Sequence, residues 1–276
     1  MSLILGENIM KKCFARIKEF SLAYLFILGL LSFPTLASEE RGKEILQEAI
    51  ARDNGFGDTI TDLKMTLLNA EGQESHRYLK INTLEVSGDG DKLLTFFEQP
   101  RDIKGTALLA FTHLDRDDEQ WIYLPASRRV KRISSSNKSG SFMGSEFAYE
   151  DLASEEIEKY KMYNYLGEKP CGQQICFIVE RKPVDKESGY VRQIVWIDKD
   201  FYRFIRIDYY DRRNALLKTR TFDDYQFYMD KYWRSLNMTM KNHQSNKITK
   251  LSVRNIQFQT GLTERDFDIA ALKRTR

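Results

Sequence analysis

One pattern recurs from about residue 63 to residue 258: short segments in which apolar and polar residues alternate, each followed by a turn signal. The segment 236–241, for example, is Leu-Asn-Met-Thr-Met-Lys. Such alternation puts every second side chain on the same face of a β-strand. Turn signals such as Ser-Gly-Asp-Gly-Asp at 87–91 separate the segments. The pattern therefore predicts a mainly β chain.

The alternating segments predict a strongly curved antiparallel sheet or barrel, because many short strands follow one another at short spacing. An amphipathic helix is predicted over 39–52, and its apolar face is expected to pack on the concave side of the sheet. In the last strand the apolar residues move from odd to even positions, which predicts a β-bulge near Arg254 or Asn255. The candidate strands are 63–67, 76–86, 93–97, 106–113, 119–124, 157–166, 174–181, 190–197, 202–210, 216–227, 233–241 and 247–258.

The N-terminal 37 residues have the features of an export signal. Four basic residues between 11 and 18 precede a twelve-residue apolar run at 20–31, and small residues follow up to Ala37. The run is shorter than the roughly 20 residues that cross a bilayer core. We expect cleavage after Ala37, which leaves 38–276 as a single exported domain.

Charge and cysteine usage agree with export and disfavour nucleic acid as a partner. Residues 1–37 hold four basic and two acidic residues, so 38–276 carry a net charge near +1. This part of the chain keeps two cysteines, Cys171 and Cys176. In an oxidising compartment such a pair is most simply a disulfide. Redox catalysis prefers two residues between the cysteines, and a zinc site would need two further ligands.

The sequence offers no catalytic constellation. The three histidines, His76, His113 and His243, lie in separate candidate strands or strand ends, without a zinc-protease motif, a nucleophile elbow or a phosphate-binding glycine loop. The acidic segment 115–119 contains Arg116 and lacks the glycine of a calcium loop, so a solvated hairpin tip is the better interpretation. We expect no enzymatic activity, no metal and no cofactor.

The segment 121–152 has a different character from the rest of the chain. It begins as an amphipathic strand (WIYLP, 121–125), continues as a basic run (RRVKRI, 128–133) and ends in GSFMGSEFAYEDL (140–152). These three blocks resemble the signature of the LolA-like outer membrane lipoprotein-sorting proteins of bacterial envelopes, with Glu146 where aspartate is commoner. The resemblance extends from about residue 43 to residue 273.

This resemblance implies an unclosed antiparallel β-barrel of about eleven or twelve strands, with a helical lid and an apolar cavity for acyl chains. It implies a periplasmic carrier that shelters a lipid or a lipoprotein's acyl chains and passes them toward the outer membrane. In this branch of the family the implied partner is an inner-membrane RND-type transporter. The alternative is a docking module for such a transporter, whose barrel core would be filled by its own side chains.

Two groups of residues are candidates for the site. The first group is apolar and would form the ligand wall or the lid, with Gly140 and Gly144 allowing the loop to move. It consists of Trp121, Tyr123, Phe142, Met143, Phe147, Tyr149, Leu236, Met238 and Met240. Within this group, Phe147→Glu is predicted to abolish lipid retention without unfolding the protein. The other would latch the lid or bind an anionic headgroup, because arginine suits carboxylate and phosphate, although a solvated face is the commoner fate of a charge run. It consists of Arg128, Arg129, Arg132, Glu146 and Asp151.

Overall fold

The computed structural model describes residues 33–274. Over this part of the chain it contains one α-helix, α1 (Phe33–Ala51), and thirteen strands. The strands are β1 (Asp58–Leu68), β2 (Glu74–Leu84), β3 (Lys92–Gln99), β4 (Ala107–Phe111), β5 (Glu119–Leu124), β6 (Arg129–Ile133), β7 (Tyr160–Cys171), β8 (Gln174–Pro183), β9 (Tyr190–Asp198), β10 (Phe204–Asp211), β11 (Leu216–Tyr228), β12 (Tyr232–Asn242) and β13 (Ile248–Phe258). The predicted export signal, 1–37, lies outside the described residues except for its last five, which belong to α1.

All thirteen strands form one antiparallel sheet in the order β6-β5-β4-β3-β2-β1-β13-β12-β11-β10-β9-β8-β7. Consecutive strands pair with each other except β6 and β7, and β1 also pairs with β13. The two outer strands, β6 and β7, do not pair with each other, so the sheet stays unclosed. The predicted fold class, an unclosed antiparallel barrel with a helix, is confirmed.

The sequence predicted twelve strands, and the thirteenth is β6. Its sequence, Arg-Val-Lys-Arg-Ile, carries charge at three of five positions and none of its residues is buried. A strand at a sheet edge needs no apolar face, and charged residues are typical there, so alternation could not reveal it. The β-bulge is confirmed: Asp62 pairs with Asn255 and Leu63 with Val253, so Arg254 is the extra residue.

Helix α1 lies directly against β7, near one open edge of the sheet. The Ser38 hydroxyl donates to the Tyr165 carbonyl at 2.8 Å. At Gly42 the backbones approach so closely that a Cβ atom would lie 2.1 Å from the Tyr163 carbonyl oxygen. The helix buries Ile45 and Leu46 in the core on the concave side of the sheet. None of the described helices is long and apolar enough to cross a bilayer.

Two apolar clusters lie on opposite faces of the sheet. The larger contains Leu108 and Ile122 together with α1 and the inner faces of most strands. The smaller contains the alternate residues of β4, Ala107 and Leu109, and packs against Phe267 from the C-terminal segment. Because side chains alternate along a strand, this segment covers the convex face of β3–β5, and the concave face remains for the site.

Candidate ligand-binding cavity

The residues between β6 and β7, 134–159, cross the concave side from one open edge of the sheet to the other; we call them the crossing segment. It contains four 3-10 turns and no strand. A tight loop holds its middle together: the Phe142 amide donates to the Phe147 carbonyl at 2.7 Å, and Ser141 forms a β-bridge with Ala148. Its turns are Ser135–Asn137, Phe142–Gly144, Tyr149–Leu152 and Ile157–Lys159.

The crossing segment fills one part of the concavity with its own aromatic side chains. Phe142 is buried and packs on Phe97 and Tyr149, with ring centroids 5.7 and 5.6 Å apart. Phe147 is 1% exposed. Aromatic rings buried in this way contribute large apolar areas to the core. The segment is therefore anchored by packing.

The rest of the concavity is open and forms a cavity of about 780 Å³, which we call the apolar cavity. Such a volume lies within the range of about 300–1,000 Å³ typical of small-molecule sites. The C-terminal end of α1 and the inner faces of β1–β3 and β11–β13 surround it. Its apolar walls include Leu63, Ile81, Phe204, Phe222, Leu236, Met238, Val253 and Ile256.

Single strands extend from the packed part of the concavity into the apolar cavity. On β13, Leu251 is buried in the core and Val253, two residues further on, lines the cavity. On β1, Met65 is buried and Leu63 lines the cavity. Since residues two apart share one face of a strand, packed core and cavity wall belong to one continuous inner surface.

The outer rim of the apolar cavity combines aromatic rings with arginines. Trp233 packs between Phe201 and Phe227, with ring centroids 5.1 and 4.9 Å away. The Arg203 guanidinium lies 4.7 Å from the Trp233 ring. Burial lowers the pKa of Arg234 to about 10. Phe201 and Phe227 remain 43% and 49% exposed, so the rim presents apolar surface to solvent.

A second, polar pocket of about 460 Å³ lies beside the crossing segment. Its floor contains Glu155, which accepts a hydrogen bond from the fully buried Arg181 at 2.7 Å. The Arg181 guanidinium also donates to Gln193 at 2.8 Å and lies 3.6 Å from the Tyr160 ring. Burial raises the pKa of Glu150, another residue of this pocket. Here the polar groups largely satisfy one another, which is the condition for burying charge.

Proteins of known structure share this architecture. A family model described as "uncharacterized protein" matches residues 89–274. A crystal structure from Vibrio parahaemolyticus, described as an outer membrane lipoprotein-sorting protein domain, is 54% identical, with a TM-score of 0.84 over 86% of this chain and 100% of that chain. The chain belongs to the LolA-like family.

Two further crystal structures extend this LolA-like relationship. A DUF1329 family protein from Desulfovibrio piger is 29% identical, with a TM-score of 0.80 over 85% of this chain and 99% of that chain. A LolA superfamily protein from Nitrosomonas europaea is 15% identical, with a TM-score of 0.68 over 83% of this chain and 98% of that one. The last comparison supports the fold alone. No curated protein matches the chain.

The apolar candidates from the sequence fall into three places in the LolA-like fold. Leu236 and Met238 line the apolar cavity. The second group belongs to the packed core around the crossing segment: Met240, Phe142, Phe147, Met143 and Tyr149. Trp121 and Tyr123 pack against the convex-face cluster, so the sequence prediction that they line the ligand wall is corrected. Their β5 neighbour Ile122 takes the inward position.

The predicted latch between the arginines and the carboxylates of the crossing segment does not form. Arg132 donates instead to Glu119 on the neighbouring strand at 2.7 Å. Arg128 and Arg129 are exposed at the β5–β6 turn and on the edge strand. Because β6 directs these side chains to solvent, they face neither the crossing segment nor the apolar cavity.

The carboxylates of the predicted latch have other partners. Glu146 accepts a hydrogen bond from the Asn242 amide at 2.7 Å. Asp151 accepts one from the Tyr190 hydroxyl at 3.0 Å and lies 3.7 Å from the Lys218 ammonium. These three contacts attach the crossing segment to β12, β9 and β11, and no pattern in the sequence predicts contacts between segments so far apart.

The sequence missed much of the cavity wall. Phe56, Phe204, Phe222 and Arg220 line it but had no place among the candidates. Alternation places Lys218, Arg220 and Phe222 on one face of β11. Because two of these three residues are charged, the inner face of this strand shows no apolar stripe in the sequence.

A disulfide joins Cys171 and Cys176 across the β7–β8 turn, with Cα atoms 5.8 Å apart. Within residues 33–274, no three side chains of histidine, cysteine, aspartate or glutamate are grouped so that they could hold a metal ion.

Proposed function

We propose that this protein is a periplasmic carrier that shelters acyl chains, of a free lipid or of a lipoprotein, in the apolar cavity and passes them toward the outer membrane. The observation that carries the proposal is the cavity itself: about 780 Å³ of space bounded mainly by apolar surface. Well-packed cores leave few voids larger than a water molecule. A space of this size, continuous with the core, fits a ligand better than a packing defect.

The energetics of acyl burial suit a carrier. Each buried methylene contributes about 0.8 kcal/mol, so ten methylenes contribute roughly 8 kcal/mol before the cost of ordering the ligand. Binding needs no covalent step, and no catalytic activity is part of the proposal. Release requires a competing site or a partner that changes the cavity, and we propose an inner-membrane RND-type transporter as the partner that loads the carrier.

Two findings support the carrier over a docking module. A docking module needs no open interior, whereas the concavity here is only partly filled by the crossing segment. The description of the Vibrio parahaemolyticus relative, at 54% identity, concerns lipoprotein sorting. We propose the same role for this chain, together with a periplasmic location and a cleaved export signal.

A charge placed in the apolar cavity tests the proposal. Leu236→Glu puts a carboxylate on the cavity wall, and Leu166→Glu puts the same group on β7, where Leu166 is exposed. A fluorescent fatty acid should bind the wild type and Leu166→Glu alike and bind Leu236→Glu at least about tenfold more weakly, since an unpaired charge in apolar surroundings is costly. Equal binding by all three proteins would contradict the site.

A further inference from the structure

Arg220 is a cation on the inner wall of the apolar cavity. It lies on β11, and it lines both the apolar cavity and the polar pocket. Its guanidinium is 4.6 Å from the Phe222 ring and 5.5 Å from the Phe147 ring. Phe147 belongs to the crossing segment, so Arg220 marks the inner end of the cavity, opposite the rim.

Arg220 has no acidic partner among residues 33–274. No carboxylate there lies within the 4.0 Å of an ion pair with its guanidinium, and its Nε atom is buried without a hydrogen-bond acceptor. The single polar contact recorded for its side chain is to the Met238 sulfur, at 3.2 Å. Sulfur of a thioether is a weak acceptor, and arginine has five donors. Most of the hydrogen-bonding capacity of Arg220 is therefore unused by the protein.

The other arginines of the apolar cavity are paired. Arg52 donates to Glu48 at 2.7 Å and Arg203 to Asp198 at 2.6 Å. Arg234 donates to Asp53. Glu155, which shares the inner wall with Arg220, accepts from Arg181 at 2.7 Å. Arg220 thus differs from every neighbouring guanidinium.

A buried guanidinium N–H without an acceptor is unfavourable, and an anion that reaches the group forms charge-assisted hydrogen bonds. We infer that Arg220 binds the acidic headgroup of the cargo, a carboxylate or a phosphate, so that the cargo is an anionic single-chain amphiphile inserted headgroup first. This inference rests on the proposed function and adds the chemical class of the ligand. It favours a free amphiphile over a lipoprotein, because the acyl chains of a lipoprotein would enter the cavity with their methyl ends first.

The dimensions of β11 suit this orientation. Phe227, at the exposed rim, lies seven positions after Arg220, which is roughly 24 Å along an extended strand. An acyl chain that starts at Arg220 runs past Phe222 and Met238 and ends near the aromatic rings of the rim. The opposite orientation would place a methyl group against the unpaired guanidinium.

Three ligands with the same alkyl chain test the assignment: dodecanoic acid, dodecyl phosphate and dodecanol, each displacing a fluorescent acyl probe from the delipidated full chain. The wild type should bind at least one of the two anions about tenfold or more tightly than the alcohol, as expected for a charge-assisted hydrogen bond. The tighter anion identifies the headgroup.

Variants separate a role in ligand binding from a structural one. Arg220→Met keeps the stem and removes the charge, and it should bind all three ligands within about twofold of one another at the wild-type affinity for dodecanol. Arg220→Lys should retain part of the preference. Lys250→Met removes an exposed cation from the outward face of β13 and should behave as the wild type. If Arg220→Met does not fold, Arg220→Gln replaces it.

Two results would overturn the assignment: equal affinity of the wild type for anions and alcohol, or an unchanged preference in folded Arg220→Met. Failure of the proposed function gives a different result, since then none of the three ligands displaces the probe.

Discussion

Met238 and Met240 are two residues apart on the same face of β12, yet Met240 is 0% exposed in the core cluster that contains Phe147, and Met238 lines the apolar cavity. Methionine is flexible and suits both a packed core and a wall that meets ligands of varied shape. The position along the strand decides which role each residue has.

The two methionines should therefore respond differently to truncation. Met240→Ala should lower the free energy of unfolding by about 3 kcal/mol, because it leaves a void in a packed core. Met238→Ala should lower it by less than about 1 kcal/mol, since the cavity is already there, and should weaken acyl-probe binding. Urea denaturation and probe titration measure the two effects. Similar losses of stability in both variants would contradict the boundary between core and cavity.

Phe147 is the residue for which the structure changes the expectation most. The sequence suggested a movable lid residue whose replacement by glutamate leaves folding intact. Since Phe147 is 1% exposed and its backbone amide and carbonyl are bonded within the crossing segment, Phe147→Ala should cost about 3–5 kcal/mol of unfolding free energy and Phe147→Glu should prevent folding.

Phe227 provides the control for the two Phe147 variants. It is exposed at the cavity rim, so Phe227→Ala should change stability by less than about 1 kcal/mol. A Phe147→Glu protein with a wild-type thermal transition would restore the lid interpretation.

Gly42 offers a test of the contact between α1 and β7. In an exposed helix, glycine to alanine stabilises by about 1 kcal/mol. Here the added Cβ would lie 2.1 Å from the Tyr163 carbonyl oxygen, so Gly42→Ala should destabilise by about 1–3 kcal/mol through overpacking. Gln47→Ala, at an exposed position of the same helix, is the matched control and should be neutral or stabilising. A stabilised Gly42→Ala would mean that the helix does not dock on β7 as described.

Asp91, at the apolar cavity, gives a pH dependence. Burial, together with the charges of Glu156 and Glu85, raises the pKa of Asp91 to about 7. The folded protein therefore keeps a proton that the unfolded chain loses near pH 4, and stability falls as pH rises from about 4 to about 7, by up to roughly 1.4 kcal/mol per pH unit from this group.

Asp91→Asn removes this contribution. The difference in unfolding free energy between wild type and Asp91→Asn should change across the window of pH 4 to 7 and stay constant above it. The matched variant Asp115→Asn, at an exposed turn, should show no such change. A wild-type and Asp91→Asn pair with parallel pH profiles would contradict the raised pKa.

The fold could be predicted from the sequence to a large extent because its rules are local. Alternation identified twelve of the thirteen strands, and a change of parity located the bulge at Arg254. The edge strand β6 escaped because none of its residues is buried, and alternation reports burial.

The site was less predictable because its position depends on which strand face points inward. Leu236 and Met238 were found, whereas Trp121 and Tyr123 face the C-terminal segment, whose position on the convex side no periodicity encodes. Arg220 was missed since its distinguishing property, the lack of an acidic partner among residues 33–274, exists only in three dimensions. The ion pair of Arg132 with Glu119 likewise follows from the pairing of β5 and β6.

Lipid extraction tests the central claim most directly. The protein would be purified without detergent from a Gram-negative periplasm, and its extract analysed by mass spectrometry beside those of Leu236→Glu and Leu166→Glu. We expect about one acyl-chain molecule per wild-type and Leu166→Glu chain and little with Leu236→Glu. Equal lipid in all three extracts, or a wild type that is empty and also fails to bind the acyl probe, would contradict the claim that the apolar cavity carries lipid.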